Sequence, residues 1–393
     1  MRSPAVLLAS VLLAVSLAAA PKTAWVLNLG GLHDPRSWAE QGVGIEFDSS
    51  GDLLLSFFRC ASGCRPITYR PATFPPATAF VAVLLAGSDG HVIRKNEWPL
   101  VREIDSGPQF RHRSRLRALV GGGFIGVIGN RIEILDSSFK VLRERCLDCE
   151  YQDLDHFYSV VSARAGQLAM LDRMSWTEPG DHHHTEVVDV RTLTAVDAWD
   201  ATSVRLESLR DDRVLAVRRA NRPSTPSPVG VPAPYQPDEI IEKRVGSPWQ
   251  QTGLKLNSGY QARFVGDDEI VWTGNRGAAQ CWAVIAGARA TGNPVCYADG
   301  EADFISTRPA DNAPIIAVHL SSLHNLRAAL DFTKGTLSWV VVHDLSTGRR
   351  LLVTRKRYDE RDYALSSDGR YLAVLTEKKL EVYAVPGPSH SKK

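Results

Sequence analysis

The chain has no excess of charge of either sign. Its 393 residues carry 46 Lys and Arg against 44 Asp and Glu, a formal net of +2. Removing Arg2 with a leader leaves about +1. Nucleic acid and anionic membrane surfaces are therefore not expected partners, because no whole-molecule field attracts them. Long apolar runs are also missing, with one exception at the start. After Met1-Arg2, Pro4–Ala20 contains scarcely a polar residue and small residues follow at Ala18–Ala20, as in a secretory signal. It is at the short end for a spanning helix. Residues 1–20 are expected to be a cleaved signal peptide, with the cut after Ala18 or Ala19 because Pro21 disfavours one after Ala20. The product would be secreted or periplasmic, with no membrane-spanning segment left.

Catalytic signatures are absent as well. The chain contains no G-x-S-x-G, no H-E-x-x-H and no P-loop, so neither an enzyme class nor a cofactor is expected from motifs. Gly121–Gly126 (GGGFIG) spells G-x-G-x-x-G. The next segment reads as more strand, though, and a dinucleotide site needs a helix there. A glycine turn between strands is the expectation.

Repetition is the dominant pattern. Tyr363–Val385 (YALSSDGRYLAVLTEKKLEVYAV) reads as strand, S-D-G turn, strand, charged turn and strand. Similar blocks follow Gly44–Leu55, Leu116–Leu135, Phe157–Val190, Val204–Val217, Arg263–Trp272 and Phe304–Asp344. That makes seven units of roughly 50 residues, near the propeller period. At F-D-S-S-G-D-L-L-L (from Phe47), S-S-D-G-R-Y-L-A-V (from Ser366) and V-H-D-L-S-T-G-R (from Val342) the chain resembles the WD40-like β-propellers. The G-H and W-D signatures are missing from their usual places, and Trp199-Asp200 reads as the end of a fourth strand. The resemblance implies an all-β fold: a β-propeller of seven four-stranded blades in one domain, 21–385, with a tail at 386–393. The last unit supplies only three strands, and Ala24–Leu29 is a strand without a partner. Pairing the two would close the ring and protect an edge. A monomer is the expectation.

Six cysteines fall into near-neighbour pairs, Cys60/Cys64, Cys146/Cys149 and Cys281/Cys296. In an exported chain an even count favours disulfides. Cys281 and Cys296 are the best placed, because a hairpin could join them. A thiolate zinc site on the first four, and redox chemistry at C-x-x-C, stand as alternatives.

Three stretches carry candidate binding chemistry. Arg59–Thr78 is an insertion rich in proline, offering Arg59, Arg65, Tyr69 and Arg70. Asn221–Pro237 contains six prolines and reads as an extended loop inside blade four, offering Tyr235. The third, Trp176–Thr185, holds Asp181, His182, His183 and His184, with Glu178 nearby, and these are ligand types for zinc, copper or nickel. A solvated loop is the simpler reading there, since three adjacent histidines do not easily face one ion. The basic run Arg111–Arg117 reads as a solvated connection. Ser321–Thr333 has helical spacing, and His319, His324 and His343 read as isolated core or surface histidines. The expected role is non-catalytic: a binding or scaffold propeller for a protein or small-molecule ligand at its mouth. The alternative is a propeller enzyme with a site near Asp181–His184, joined by His33, Asp34 or His156.

Overall fold

The computed structural model describes residues 21–32, 43–60, 77–99, 116–128, 131–147, 156–175, 182–200, 204–218, 238–256, 259–265, 269–276, 279–286, 289–290, 293–298, 301–302, 304–322 and 337–387. Within them the strands form seven antiparallel sheets. Strand β1 (Thr23–Asn28) belongs to the last sheet. Blade 1 is β2 (Gly44–Phe47), β3 (Leu53–Cys60), β4 (Ala77–Leu85) and β5 (Val92–Pro99). Blade 2 is β6 (Leu116–Ala118), β7 (Phe124–Ile128), β8 (Arg131–Leu135) and β9 (Val141–Cys146). Blade 3 is β10 (His156–Ala165), β11 (Leu168–Ser175), β12 (His182–Asp189) and β13 (Ala195–Asp200). Blade 4 is β14 (Val204–Arg210), β15 (Arg213–Arg218), β16 (Asp238–Arg244) and β17 (Gln250–Leu256). Blade 5 is β18 (Gly259–Val265), β19 (Glu269–Arg276), β20 (Ala279–Ala286) and an outer strand split into β21 (Arg289–Ala290) and β22 (Val295–Tyr297). Blade 6 is β23 (Phe304–Pro309), β24 (Ile315–Ser322), β25 (Leu337–Asp344) and β26 (Arg350–Val353). Blade 7 is β27 (Glu360–Leu365), β28 (Tyr371–Thr376) and β29 (Lys379–Ala384), completed by β1.

This is a seven-bladed β-propeller. The first strand of each blade touches the first strands of both neighbours, from β2 through β6, β10, β14, β18, β23 and β27 back to β2. The ring closes as the unpartnered Ala24–Leu29 segment suggested. Trp25 lies opposite Val382 and Leu27 opposite Leu380, so the two ends of the chain share one sheet.

Middle strands are buried on both faces, which explains their nearly unbroken apolar runs. Leu53–Phe58, Val81–Leu85 and Val340–Val342 are all buried. Outer strands alternate with solvent, as in Ala195–Asp200. The turns between third and fourth strands repeat one device. Asp136, Asp189 and Asp344 each accept from a backbone N–H two residues on, at 2.8, 2.7 and 2.9 Å. The Ser138 hydroxyl and the Lys140 N–H hold the Asp136 carboxyl below its ordinary value.

These turns also fill the seams between blades. In four of these turns the residue just before the turn closes is left-handed: Gly90 at φ 77°, Phe139 at 63°, Leu193 at 58° and Gly348 at 69°. Phe139 and Leu193 bury large side chains from this conformation, 3% and 1% exposed. Phe139 meets Trp98 on the outer strand of the preceding blade at 6.1 Å between centroids. Between blades 3 and 4, Trp249 meets Trp199 edge-on at 5.4 Å. There the Lys243 ammonium stands 4.8 Å from the Trp199 ring and 2.7 Å from Asp197. Between blades 7 and 1, Trp25 lies against Gly90 and donates its indole N–H to Gly87 O at 2.8 Å.

Several sequence expectations need correcting. His182, His183 and His184 lie in strand β12 opposite Ser175, Met174 and Arg173, not in a loop. The run of apolar residues around them is interrupted, but the ladder continues through the histidines. Arg59 is in strand β3 and pairs with Glu97 at 2.6 Å, so it is not part of a loop. The glycine turn stands as expected, with Gly122 and Gly123 both at positive φ. The proline-rich 219–237 segment joins β15 to β16, paired strands of one blade. No helix among the described residues is long and apolar enough to cross a membrane.

Candidate functional site

In a ring of blades the innermost strand has one edge with no neighbour in its own sheet, so its amides need other partners. Side chains from adjoining blades supply them. Gln261 Oε1 in blade 5 accepts from the Thr307 N–H in blade 6 at 3.2 Å. Arg308 in blade 6 donates to the Tyr363 carbonyl and, at 2.6 Å, to Asp362 Oδ1 in blade 7. Asp362 Oδ2 accepts from the Ile45 N–H in blade 1 at 2.9 Å. Glu46 in blade 1 then faces Arg117 in blade 2 at 3.6 Å. A polar belt thus runs through five consecutive blades, with Asp362 and Glu46 between the guanidiniums of Arg308 and Arg117.

Tyr363 is the centre of this belt. Its ring lies under the Arg308 guanidinium at 4.4 Å and is stacked on His319 at 5.4 Å, with 16° between planes. Its hydroxyl and the Ser306 hydroxyl are 3.2 Å apart. Burial pushes the Tyr363 hydroxyl pKa up, against the pull of Arg308. Burial also opposes the charge on Arg308, but Asp362, Tyr363 and Glu46 together outweigh it and the guanidinium pKa is raised.

At the start of β27, the Glu360 side chain is 2% exposed and both of its carboxylate oxygens are buried with no hydrogen-bond partner. His319 Nε2 stands 3.2 Å from Glu360 Oε1, without the alignment a hydrogen bond needs. An imidazole beside an unsatisfied carboxylate can exchange a proton or hold a cationic group.

None of the belt residues stands out as a site in the sequence. His319 reads there as an isolated histidine, because its partner Glu360 lies in the next blade. The only signals are polar residues at inner-strand positions, in F-I-S-T-R-P and E-R-D-Y.

The structure does not bring the sequence candidates together. His184 Nδ1 pairs with Asp200 at 2.8 Å across neighbouring strands, and a strand alternates successive residues between its faces. Among the described residues no group of three or more His, Cys, Asp or Glu could hold a metal. Arg65, Tyr69, Arg70, Tyr235, Asp181, Glu178, His33 and Asp34 lie outside the described residues. So do Cys64, Cys149, the leader, residues 388–393 of the 386–393 tail and residues 323–333 of the helix expected over Ser321–Thr333, whose Ser321 and Ser322 end strand β24 instead. Cys281 and Cys296 are bonded, directly opposite one another on β20 and β22. Cys146 is also disulfide-bonded, which removes its thiolate from the zinc reading.

No model of a known protein family matches the chain, and no curated protein matches it in sequence. Solved structures do match in shape. An oligogalacturonate lyase in complex with manganese matches with a TM-score of 0.51 at 11% identity, over 92% of this chain and 93% of that one. A chain of the mitotic checkpoint complex gives 0.50 at 11%, over 93% and 96%. The β-propeller domain of the Trilobed protease from Pyrococcus furiosus gives 0.50 at 9%, over 87% and 95%. Such likeness establishes the propeller fold alone.

Proposed function

We propose that the chain is an exported, WD40-like β-propeller that binds a protein or small-molecule ligand on the face where its inner strands begin. The observation that carries this reading is the contrast between the two faces. Each blade has four antiparallel strands, so the connections alternate strictly between faces. On one face they are tight turns, capped by their own aspartates as in Asp48, Asp136, Asp189 and Asp344. The other face receives both ends of the longer connections 61–76, 100–115, 219–237 and 323–336. Long connections on a rigid scaffold are where recognition residues gather. The charged groups of the inner belt are paired with one another, which suits a frame better than a reaction centre. Replacing 219–237 or 61–76 by a short glycine-serine linker tests this. Loss of a partner captured by the intact exported protein, with the thermal midpoint unchanged, is the expected result. Full retention of that partner by both replacements would rule the reading out.

One observation favours a second reading, an enzyme. The Glu360 carboxylate is buried and unsatisfied beside His319, and propellers of a lyase and a protease are similar in fold. A hydrolytic or lyase activity abolished by both His319→Ala and Glu360→Gln, in folded protein, would favour it.

A further inference from the structure

On the face of the tight turns, blades 5 and 6 leave a cavity of about 590 Å³ between them. Its existence follows from how the other seams are filled. In each described case two side chains meet: one from the outer strand of the preceding blade, one from the turn between third and fourth strands. Trp98 meets Phe139, and Trp199 meets Trp249. Where the turn residue is Gly90, Trp25 of the preceding outer strand takes the space, and a Cβ on Gly90 would lie 2.5 Å from its ring.

Blade 6 also has glycine at this position. The Gly348 N–H bonds Asp344 O at 2.8 Å, as the Gly90 N–H bonds Ala86 O at 2.8 Å. The preceding outer strand, however, presents Val295 where Trp25 stands in the other seam. A Cβ on Gly348 would lie 2.9 Å from Val295 Cγ2, so the two positions face each other in the same way. The turn side chain is missing, the aromatic of this outer strand, Tyr297, turns to His343 instead, and the cavity opens beside Val295, Leu345 and Gly348 with Trp282 also in its wall.

We infer that this seam binds an aromatic ligand whose ring takes the place Trp25 occupies between blades 7 and 1, and which carries a positive charge. Two details specify the chemistry. Trp25 gives its N–H to the carbonyl of the residue after the turn's first, Gly87. The corresponding residue in blade 6 is Leu345, in the cavity wall. An indole-type ring with an N–H donor therefore has both its packing surface and its acceptor. The charge follows from the Glu269 carboxylate in the cavity wall, where no lining residue among those described is basic. Charge complementarity in a half-enclosed site selects for a cation. The volume falls within the range of small-ligand pockets, roughly 300–1,000 Å³. The site is on the face opposite the long connections, so it does not depend on the binding role proposed above.

The test uses two probes with the same ring and opposite charge, tryptamine and indole-3-acetate, titrated calorimetrically into the full folded protein. Saturable one-to-one binding of tryptamine is expected, with indole-3-acetate at least tenfold weaker. Val295→Trp should fill the seam from the protein's own chain, abolish tryptamine binding and raise the thermal midpoint. Glu269→Lys should invert the preference between the probes in protein of unchanged fold. The inference is overturned by absence of saturable tryptamine binding, or by equal affinity for the two probes. Undiminished binding in a folded Val295→Trp protein would also overturn it. Should Val295→Trp not fold, the Glu269→Lys result decides: inverted preference supports the site and unchanged preference rejects it.

Discussion

The Tyr297 hydroxyl donates a hydrogen bond to Nε2 of His343 at 2.7 Å, wholly inside the seam of blades 5 and 6. The direction is fixed by the other ring nitrogen. Nδ1 lies 2.8 Å from the Gly348 carbonyl, which can only accept, so Nδ1 carries the proton and Nε2 is the acceptor. Burial, first of all, depresses the His343 pKa from 6.5 to about 4, so the ring is neutral near pH 7.

A stability change with pH follows. A histidine with a depressed folded-state pKa binds its proton in the unfolded chain first. Between pH 6.5 and 4 the unfolded state therefore holds more protons, and stability falls as the pH falls. The full difference is about 3 kcal/mol, because each tenfold change in proton affinity is worth about 1.4 kcal/mol. Denaturant midpoints across this window and up to neutral pH, compared between the wild type and His343→Gln, should show a steeper slope for the wild type. Equal slopes would refute the assignment.

Trp25 should be the largest single contributor to ring closure. Trp25→Ala removes a buried indole from between two blades and is expected to cost about 3–5 kcal/mol. Trp25→Phe keeps most of the packing but leaves Gly87 O without its donor, at a cost of about 1 kcal/mol beyond the lost volume. Equilibrium denaturation of the two variants checks the order. A Trp25→Ala protein as stable as the wild type would mean that β1 does not hold the ring.

Asp362 serves two blades at once, through Arg308 and the Ile45 N–H. Asp362→Ala strands a partly buried guanidinium and an open amide, so a loss of about 3 kcal/mol is expected. Removing both charges, as Arg308→Met with Asp362→Leu, should recover part of that loss. A double-mutant cycle by urea denaturation measures the coupling.

The Cys281–Cys296 bond closes a loop with a sequence separation of 15. Loop entropy alone gives it about 3 kcal/mol of stabilisation. Cys281→Ala with Cys296→Ala should lower the denaturation midpoint accordingly, and reducing agent should then have less further effect than on the wild type. Loosening β22 should also weaken tryptamine binding next to Val295.

The architecture is legible in the sequence because period-two strands, S-D-G and D-L-S-T-G turns and the unpaired Ala24–Leu29 segment all act locally. Seven blades, the closing strand and the Cys281–Cys296 bridge can be read from neighbouring residues. The candidate site cannot. Asp362 reaches Ile45 across 317 positions, and Arg308 reaches Asp362 across 54. No spacing rule relates one inner strand to the next, so a belt built one residue per blade looks like scattered polar positions. The histidine triplet misleads for the opposite reason. Three ligand types in a row are conspicuous, but a strand separates neighbours in sequence onto different faces. The blade 5–6 cavity is hidden in the difference between two similar turns, one ending in Gly90 and one in Gly348.

Strand β1 is the first of the propeller to be synthesised and the last to find its partner. During translation its hydrogen-bonding edge must wait for β29, so assembly runs against the order of birth. Six blades can form as each is completed, but the seventh is decided only when the whole chain is present. A circular permutant with β1 placed directly after β29 would turn this wait into a local hairpin. It should shorten the slowest folding phase while leaving the finished ring unchanged.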